Sequence, residues 1–508
     1  MNGRGFAGIF CALTLGAMGA EAQTNKVLKL TLEEAIHLTL EHNLNVQIQR
    51  FSPLLDRYAL AADYGVYEPA FYGTAKDTYT DQPGRIFGGL SAPPQTVDDR
   101  NYAVGIGGAD GGNGATPWGM QYNFSTTLDR SAYYTFNRTN GLPLAPFTQD
   151  TAFTGLTIQQ PLLRNLWIDN NRAVIQIAKK NLRYDELGFR QLVMTNISAT
   201  EQAYYELSYA LENIEVQRQA VALAGQLVEE NQKRVKAGVL TTLDVAQSQS
   251  QLASAKAALL AAEQLAVTDE NILKNLITDK YRTLYDTSLL PAEKLVAIPA
   301  TFDLQGSWQL ALANRPDILQ AQVNIDRVAV NKRYQFNQMF PQLDLTGAYG
   351  RTGLASDSGN AFGQIPPDNY PSYSYGVVLS VPLGAQTARN NYRAAKASLE
   401  QAKLVYRAVE QTMLIQVENE IEMARSDFAQ VEATREARVY ADQALSAEGR
   451  KLEVGTSTPF IVLQLQSNFT SARSAEIRAL ADYNEALTLL TLFEGTILDR
   501  RHLTVKVD

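Results

Sequence analysis

The chain carries the same landmarks twice and in the same order, and that duplication restricts its fold more than any other feature. Residues 236–250 (KAGVLTTLDVAQSQS) return without a gap as residues 453–467 (EVGTSTPFIVLQLQS), 217 positions later. Residues 35–46 answer to 307–318 at an offset of 272, and Gln160-Pro161-Leu162 answers to Val381-Pro382-Leu383 at 221. The falling offset puts a large extra piece in the first copy, ahead of Pro161 and between Tyr72 and Asp150. The implied division is a leader at 1–22, a first repeat at 23–300 and a second at 301–508.

Each copy contains one very long helical stretch. Residues 168–237 hold no proline and two glycines, and residues 385–454 hold no proline and one glycine. Both are rich in Ala, Leu, Gln, Glu, Lys and Arg, which favour helix. About 70 residues at ~1.5 Å each make a helix on the order of 100 Å long, far beyond the globular norm. Two shorter helical segments flank each long one, at 32–64 and 242–275 and again at 307–336 and 460–494. In each copy the short pair sums to nearly the length of the long one, as expected of two half-helices end to end beside a full helix. Val221, Ala224, Val228, Asn231 and Val235 step by three and four. Val245, Ser248, Leu252, Ala255, Leu259, Ala262 and Ala266 do the same. This is heptad spacing with small seam residues. On helical pattern alone, a soluble coiled-coil hairpin explains the chain equally well.

The segments between the helices favour another reading. Residues 64–161 and 334–382 hold 23 of the 45 aromatics, alternate in strand fashion and are punctuated by Gly, Pro, Asn and Asp. The run around Tyr373, Tyr375, Val377 and Leu379 puts large residues on one face and Ser or Gly on the other. Such strands resemble membrane β-strands, and they are expected at about 66–161 and 340–382. Pro161 and Pro382 stand at the strand-to-helix exits, where the missing N–H is tolerated. Two copies then supply about four strands. Four cannot close a barrel, and an open edge is not tolerated in lipid, so several protomers must pool theirs; three would make twelve. The cluster Gly107–Gly114 in the extra piece lacks the Gly-Lys-Ser/Thr ending of a phosphate loop and reads as a loop; Tyr102–Ile106 and Gln121–Leu128 beside it are possible strands, so the extra piece is either a long external loop or an extra hairpin that changes the strand count.

The N-terminus reads as a secretory signal, with Arg4, a small apolar run to about Gly19 and the cleavage pattern Ala20-Glu21-Ala22. The single cysteine, Cys11, lies inside it, so the mature chain is thiol-free. That removes disulfides, cysteine metal sites and cysteine nucleophiles. The net charge of −8 makes nucleic acid a poor partner. No mature stretch is apolar for long enough to be a transmembrane helix. His37, His42 and His502 share no face suited to a metal, no catalytic arrangement of Ser, His and Asp has supporting spacing, and neither a cofactor nor an enzymatic activity is expected.

The opening Leu30-Thr31-Leu32-Glu33-Glu34-Ala35, the strand exit Gln159-Gln160-Pro161-Leu162-Leu163-Arg164, Ala313-Asn314-Arg315-Pro316-Asp317 and the paired turns at Gly238 and Gly455 together resemble the outer-membrane efflux protein family, the TolC-like channels. The resemblance spans essentially the whole mature chain. It implies a mainly α fold with a β membrane segment, in which a long periplasmic α-helical barrel continues into a trimeric, twelve-stranded transmembrane β-barrel in the outer membrane. It implies a homotrimer in outer-membrane lipid that meets a periplasmic adaptor protein and, through it, an inner-membrane pump, and that conducts solutes passively. The helix–turn–helix tips, Gly238, Val239 and Leu240 and Gly455, Thr456 and Ser457, would meet the adaptor. A pore-entrance ring would involve Asp244 and Gln464. Family members carry acids at the positions of Ile461 and Gln464, so a second carboxylate ring is unsupported here. Efflux of drugs or other small molecules is the leading expectation. A type I secretion duct for polypeptides is the alternative, and a periplasmic coiled-coil scaffold without a pore is the alternative of another class.

Overall fold

The computed structural model describes residues 26–82, 86–87, 90–91, 95–108, 112–134, 147–238, 240–365 and 370–504; the expected leader at 1–22 and Val239 of the first tip lie outside them. The chain opens with β1 (Lys26–Leu30), α1 (Leu32–His42), α2 (Leu44–Gln49), α3 (Phe51–Tyr64) and a 3-10 turn at Gly65–Tyr67. Strands β2 (Ala70–Gln82), β3 (Ile86–Phe87), β4 (Leu90–Ser91), β5 (Gln95–Gly107), β6 (Gly114–Ala115), β7 (Gln121–Tyr134) and β8 (Phe147–Pro161) follow. The first copy closes with α4 (Asn170–Lys236), α5 (Thr242–Ile277), α6 (Tyr281–Leu284) and β9 (Thr287–Pro291). The second copy contributes α7 (Leu304–Asn314), α8 (Pro316–Asn337), β10 (Gln342–Ala355), α9 (Ser358–Gly363), β11 (Pro371–Ser380), α10 (Gln386–Glu453), α11 (Pro459–Phe493) and α12 (Ile497–Arg500). The molecule is mainly helical.

The short segments expected to be continuous are interrupted. Residues 32–64 form three helices, and the first ends at Asn43, whose side-chain amide donates to the Leu276 carbonyl at 3.0 Å. In the second copy the break falls at Arg315, which Pro316 holds out of the helical region at ψ 120°. The buried Arg315 guanidinium binds the Asp317 carboxylate at 2.9 Å, reaches Gln416 at 2.5 Å and lies over the Phe493 ring. Gly495 (φ 76°) packs so close that a Cβ there would come within 2.9 Å of the Arg315 nitrogen.

Two compact units share the chain, and each draws on both copies. One comprises the described residues up to Asn43, Thr200–Ala297 and Val431–Asn484. In it β1 pairs in parallel with β9, and the buried Tyr204 hydroxyl donates to the Leu30 carbonyl at 3.1 Å and accepts from the Glu293 N–H at 3.3 Å. Of the twelve seam residues, Ala224, Val228, Asn231, Ser248, Ala262 and Ala266 are buried, while Val221, Val235, Val245, Leu252, Ala255 and Leu259 are half-buried. Arg478 ties α11 to α4 through Glu206 at 2.7 Å.

The other unit comprises Leu44–Ala199, Ile298–Gln430 and the residues from Glu485 on. Its helical core joins Ala311 and Ile318 to Met413, Val417 and Ile421 of α10 and Leu490 of α11. Each large member stabilises by roughly 1.5–3 kcal/mol when buried. Its sheet runs in the order β11-β10-β8-β7-β5-β2, with β6 paired to β7, and every pairing is antiparallel. The four strands expected of the chain are therefore six long ones: the extra piece of the first copy is a further hairpin, β5–β7, set between β2 and β8.

Candidate functional site

Two regions carry the features that matter. The first is the sheet. Its register aligns Phe71, Ile106, Phe124, Leu156, Tyr349 and Tyr373 in one row across six strands, all exposed, with Phe71 at 76% and Tyr373 at 71%. Tyr122, Ile158, Tyr375, Leu345, Val377 and Leu379 share that face, because side chains two residues apart point the same way. Arg351 is an exception on it, reaching the Ile365 carbonyl at 3.5 Å. Near its far end a charged row, Asp77, Arg100, Arg130 and Asp150, crosses the same face, closed by ion pairs of 3.3 Å (Asp77–Arg100) and 2.7 Å (Arg130–Asp150). On β8 the exposed apolar part of this face is Leu156 and Ile158; beyond Thr154 the face passes under α9, where Ala152 and Asp150 are fully buried and a Cβ on Gly353 would meet the Ala361 carbonyl.

The opposite face is mostly small and polar: Gly105, Ser125, Gly155, Gly350 and Ser372 form one of its rows, completed on β2 by Tyr72, whose ring lies over Gly105 and whose hydroxyl donates to Asn123 at 3.1 Å. The Phe153 ring lies across Gly155 and Gly350, where an added Cβ would come within 2.4 and 2.5 Å of it. Aromatics laid over strand glycines pin register. Trp118 and Trp167, 60% and 80% exposed, stand at the helix-side end of the sheet, as interfacial aromatics do.

The second region is the pair of tips. Gly238 and Gly455 end α4 and α10 with φ of 77° and 76°, the left-handed geometry that glycine adopts without a Cβ penalty. At the second tip the Gly455 N–H donates to the Leu452 carbonyl at 3.2 Å and the Thr456 N–H to the Lys451 carbonyl at 2.9 Å, a complete Schellman cap. At the first, the Gly238 N–H donates to the Val235 carbonyl at 2.9 Å. The tips sit together: Arg234 donates to the Leu452 carbonyl at 3.3 Å, and Leu227 packs with Leu452, Val462 and Leu463. Around the turns Leu243, Val454, Phe460 and Ile461 are exposed while Leu240 is half-buried.

Asp244 is the third residue of α5, and its carboxylate accepts from the Thr241 N–H at 2.9 Å and hydroxyl at 2.6 Å. These bonds hold its pKa below the ordinary aspartate range, the hydroxyl contributing most. Its side chain is thus engaged in capping its own helix. Gln464 is exposed and donates to Asn468 at 3.2 Å. Ser457 donates to Glu448 at 2.6 Å, with Lys451 on the same carboxylate at 3.0 Å; together they lower the Glu448 pKa. Neither Glu448 nor Arg234 stood out in the sequence, since their partners lie across a turn or on the other copy. Among the described residues no cluster of acids and histidines has the makings of a metal site.

The outer membrane efflux protein family profile matches residues 127–278 and 308–496, one stretch in each copy. Outer membrane protein TolC of Vibrio cholerae serotype O1 is 24% identical over 382 residues, 73% of this chain and 82% of that protein. Outer membrane efflux protein BepC of Brucella suis biovar 1 is 24% identical over 367 residues, covering 70% of this chain and 75% of BepC. Among solved structures, the outer membrane protein VceC from Vibrio cholerae shares the fold with a TM-score of 0.65 at 16% identity, over 91% of this chain and 96% of VceC. The duplicated helices, the tips and the family match agree: the chain belongs to the outer membrane efflux protein family, and is a non-enzymatic transport protein of the outer membrane.

Proposed function

We propose that this chain is one subunit of a homotrimeric exit channel that passes small molecules from a periplasmic adaptor and inner-membrane pump to the exterior. The observation that carries the reading is the sheet: an exposed row of large apolar side chains across six strands on an open sheet that ends at β2 and β11. Lipid does not tolerate unpaired strand edges, so each edge needs the opposite edge of a neighbouring copy. The polar face then lines a water-filled lumen, and conduction is passive.

The tips supply the adaptor contact. Gly238 and Leu240 belong to the tip that packs with that of Gly455, Thr456 and Ser457, and the exposed Leu243, Val454 and Phe460 around them offer apolar anchors of the kind that dominate protein interfaces. Asp244 and Gln464, on the helices leading from the tips, are the residues proposed to narrow the entrance. The test is planar-bilayer conductance of the purified protein, with oligomer mass measured on the same preparation. Ion conduction by a trimer is expected. A water-soluble, non-conducting monomer would overturn the reading in favour of a periplasmic scaffold.

A further inference from the structure

The hairpin β5–β7 is built as barrel wall. It lies inside the sheet, with β5 paired to β2 over the full length from Ala70↔Gly107 to Gln82↔Gln95 and β7 paired to β8 from Gln121↔Gln159 to Tyr133↔Phe147. Its residues continue both faces without a break: Val104, Ile106, Phe124 and Leu128 on the apolar side, Ala103, Gly105, Ser125 and Thr127 on the polar side. The charged row crosses it too, through Arg100 and Arg130. Its helix-side turn is anchored, since a Cβ on Gly119 (φ 87°) would meet the Arg172 guanidinium at 2.7 Å, and Arg172 is held by Asp169 at 2.9 Å. That turn carries Trp118, at the same end of the sheet as Trp167. An external loop would need none of these features.

We infer that the assembled transmembrane barrel has eighteen strands, six from each of three copies, instead of twelve, and that Asp99, Asn101, Ser125, Thr127 and Asp129 of the hairpin line its lumen. The inference rests on the trimeric channel reading above. At ~4.8 Å between strands and a tilt of about 40°, eighteen strands enclose a backbone radius of about 18 Å against about 12 Å for twelve. The diameter grows roughly linearly with strand number, so the lumen is about 1.5-fold wider. The membrane section is then less suited to restrict cargo, which leaves that role to the helical entrance.

The absence of cysteine beyond Cys11 makes the test direct. Single variants Ala103→Cys, Val104→Cys, Phe124→Cys, Ser125→Cys, Thr126→Cys and Thr127→Cys are spin-labelled in the full-length protein, reconstituted into phosphatidylcholine vesicles. Oligomer mass is measured first, in detergent. In a trimer, labels at 104, 124 and 126 are expected to collide with oxygen and those at 103, 125 and 127 with a water-soluble nickel chelate. Distances between the three copies of a label at Thr346→Cys, on a strand outside the hairpin, are expected near 31 Å, from the same ~18 Å radius. A trimer with nickel access on both hairpin faces and a spacing near 21 Å, the ~12 Å radius of twelve strands, overturns the strand count and leaves the channel intact. A monomer overturns the channel reading and this inference with it.

Discussion

Replacing Gly455 isolates the backbone demand of a tip from its surroundings. Its φ is 76° and no atom lies within 4 Å of where a Cβ would stand, so a substitution strains the main chain without a clash inside the subunit. An L-residue in the left-handed region costs roughly 1–2 kcal/mol, with β-branched side chains at the upper end and asparagine well below it. Gly455→Val is therefore expected to open the last turn of α10 about 5–30-fold more often, and Gly455→Asn to do so much less. The assay is native-state hydrogen exchange at the residue 455 and Thr456 amides, which donate to Leu452 and Lys451. In the double variant Gly238→Val with Gly455→Val, pump-dependent drug resistance is expected to be lost while trimers persist in the membrane. The matching asparagine pair is expected to keep resistance. Exchange in the valine variant equal to that of the parent, or an asparagine variant as damaged as valine, would refute the argument from φ. Full resistance in the double valine variant with normal trimers would remove the docking role.

Three other residues, Asp244, Glu420 on α10 and Arg315, carry the remaining expectations. Asp244→Asn is expected to shift the reversal potential if the residue rings the entrance; an unchanged value leaves it with the helix cap alone. Because the folded pKa of Asp244 is depressed, its capping contribution is complete above the ordinary value of 3.8 and is lost as pH falls through the folded value, a loss absent from the Asn variant's unfolding curve. Glu420 behaves oppositely: burial first, then Asp427, raises its pKa to about 7, so stability falls as pH rises from the ordinary value of 4.5 toward 7, and Glu420→Gln is expected to gain stability at pH 8 with little change near pH 4, read as melting temperature. Arg315→Met removes the guanidinium shared by Asp317 and Gln416 and is expected to cost about 2–3 kcal/mol in denaturant unfolding; Arg315→Met with Asp317→Leu is expected to cost less, since no half-buried carboxylate is left unpartnered.

Much of the architecture was readable before any coordinates. The proline-free runs mark α4 and α10 to within a few residues, because composition over 70 residues overwhelms local ambiguity. The paired glycines locate the tips, since glycine is the residue that most readily takes the left-handed conformation in which many helices end. The strand count was less legible. The β5–β7 segment mixes Asp, Arg, Asn and Thr with its aromatics, and alternation over so few residues does not separate a wall strand from a loop. Only its pairing partners do. The breaks at Asn43 and Arg315 show the same division: Pro316 announces one, while Asn43 depends on the carbonyl of Leu276, 233 positions away.

What the sequence determined by itself is therefore whatever a period or a backbone constraint encodes locally: two copies, long helices, glycine turns, strands with one greasy face. The tertiary structure decided which pieces meet. It brought Arg234 to Leu452, committed Asp244 to its own helix cap and placed a hairpin between β2 and β8. Those choices rest on hydrogen bonds and burial between residues far apart in the chain, and no local pattern records them.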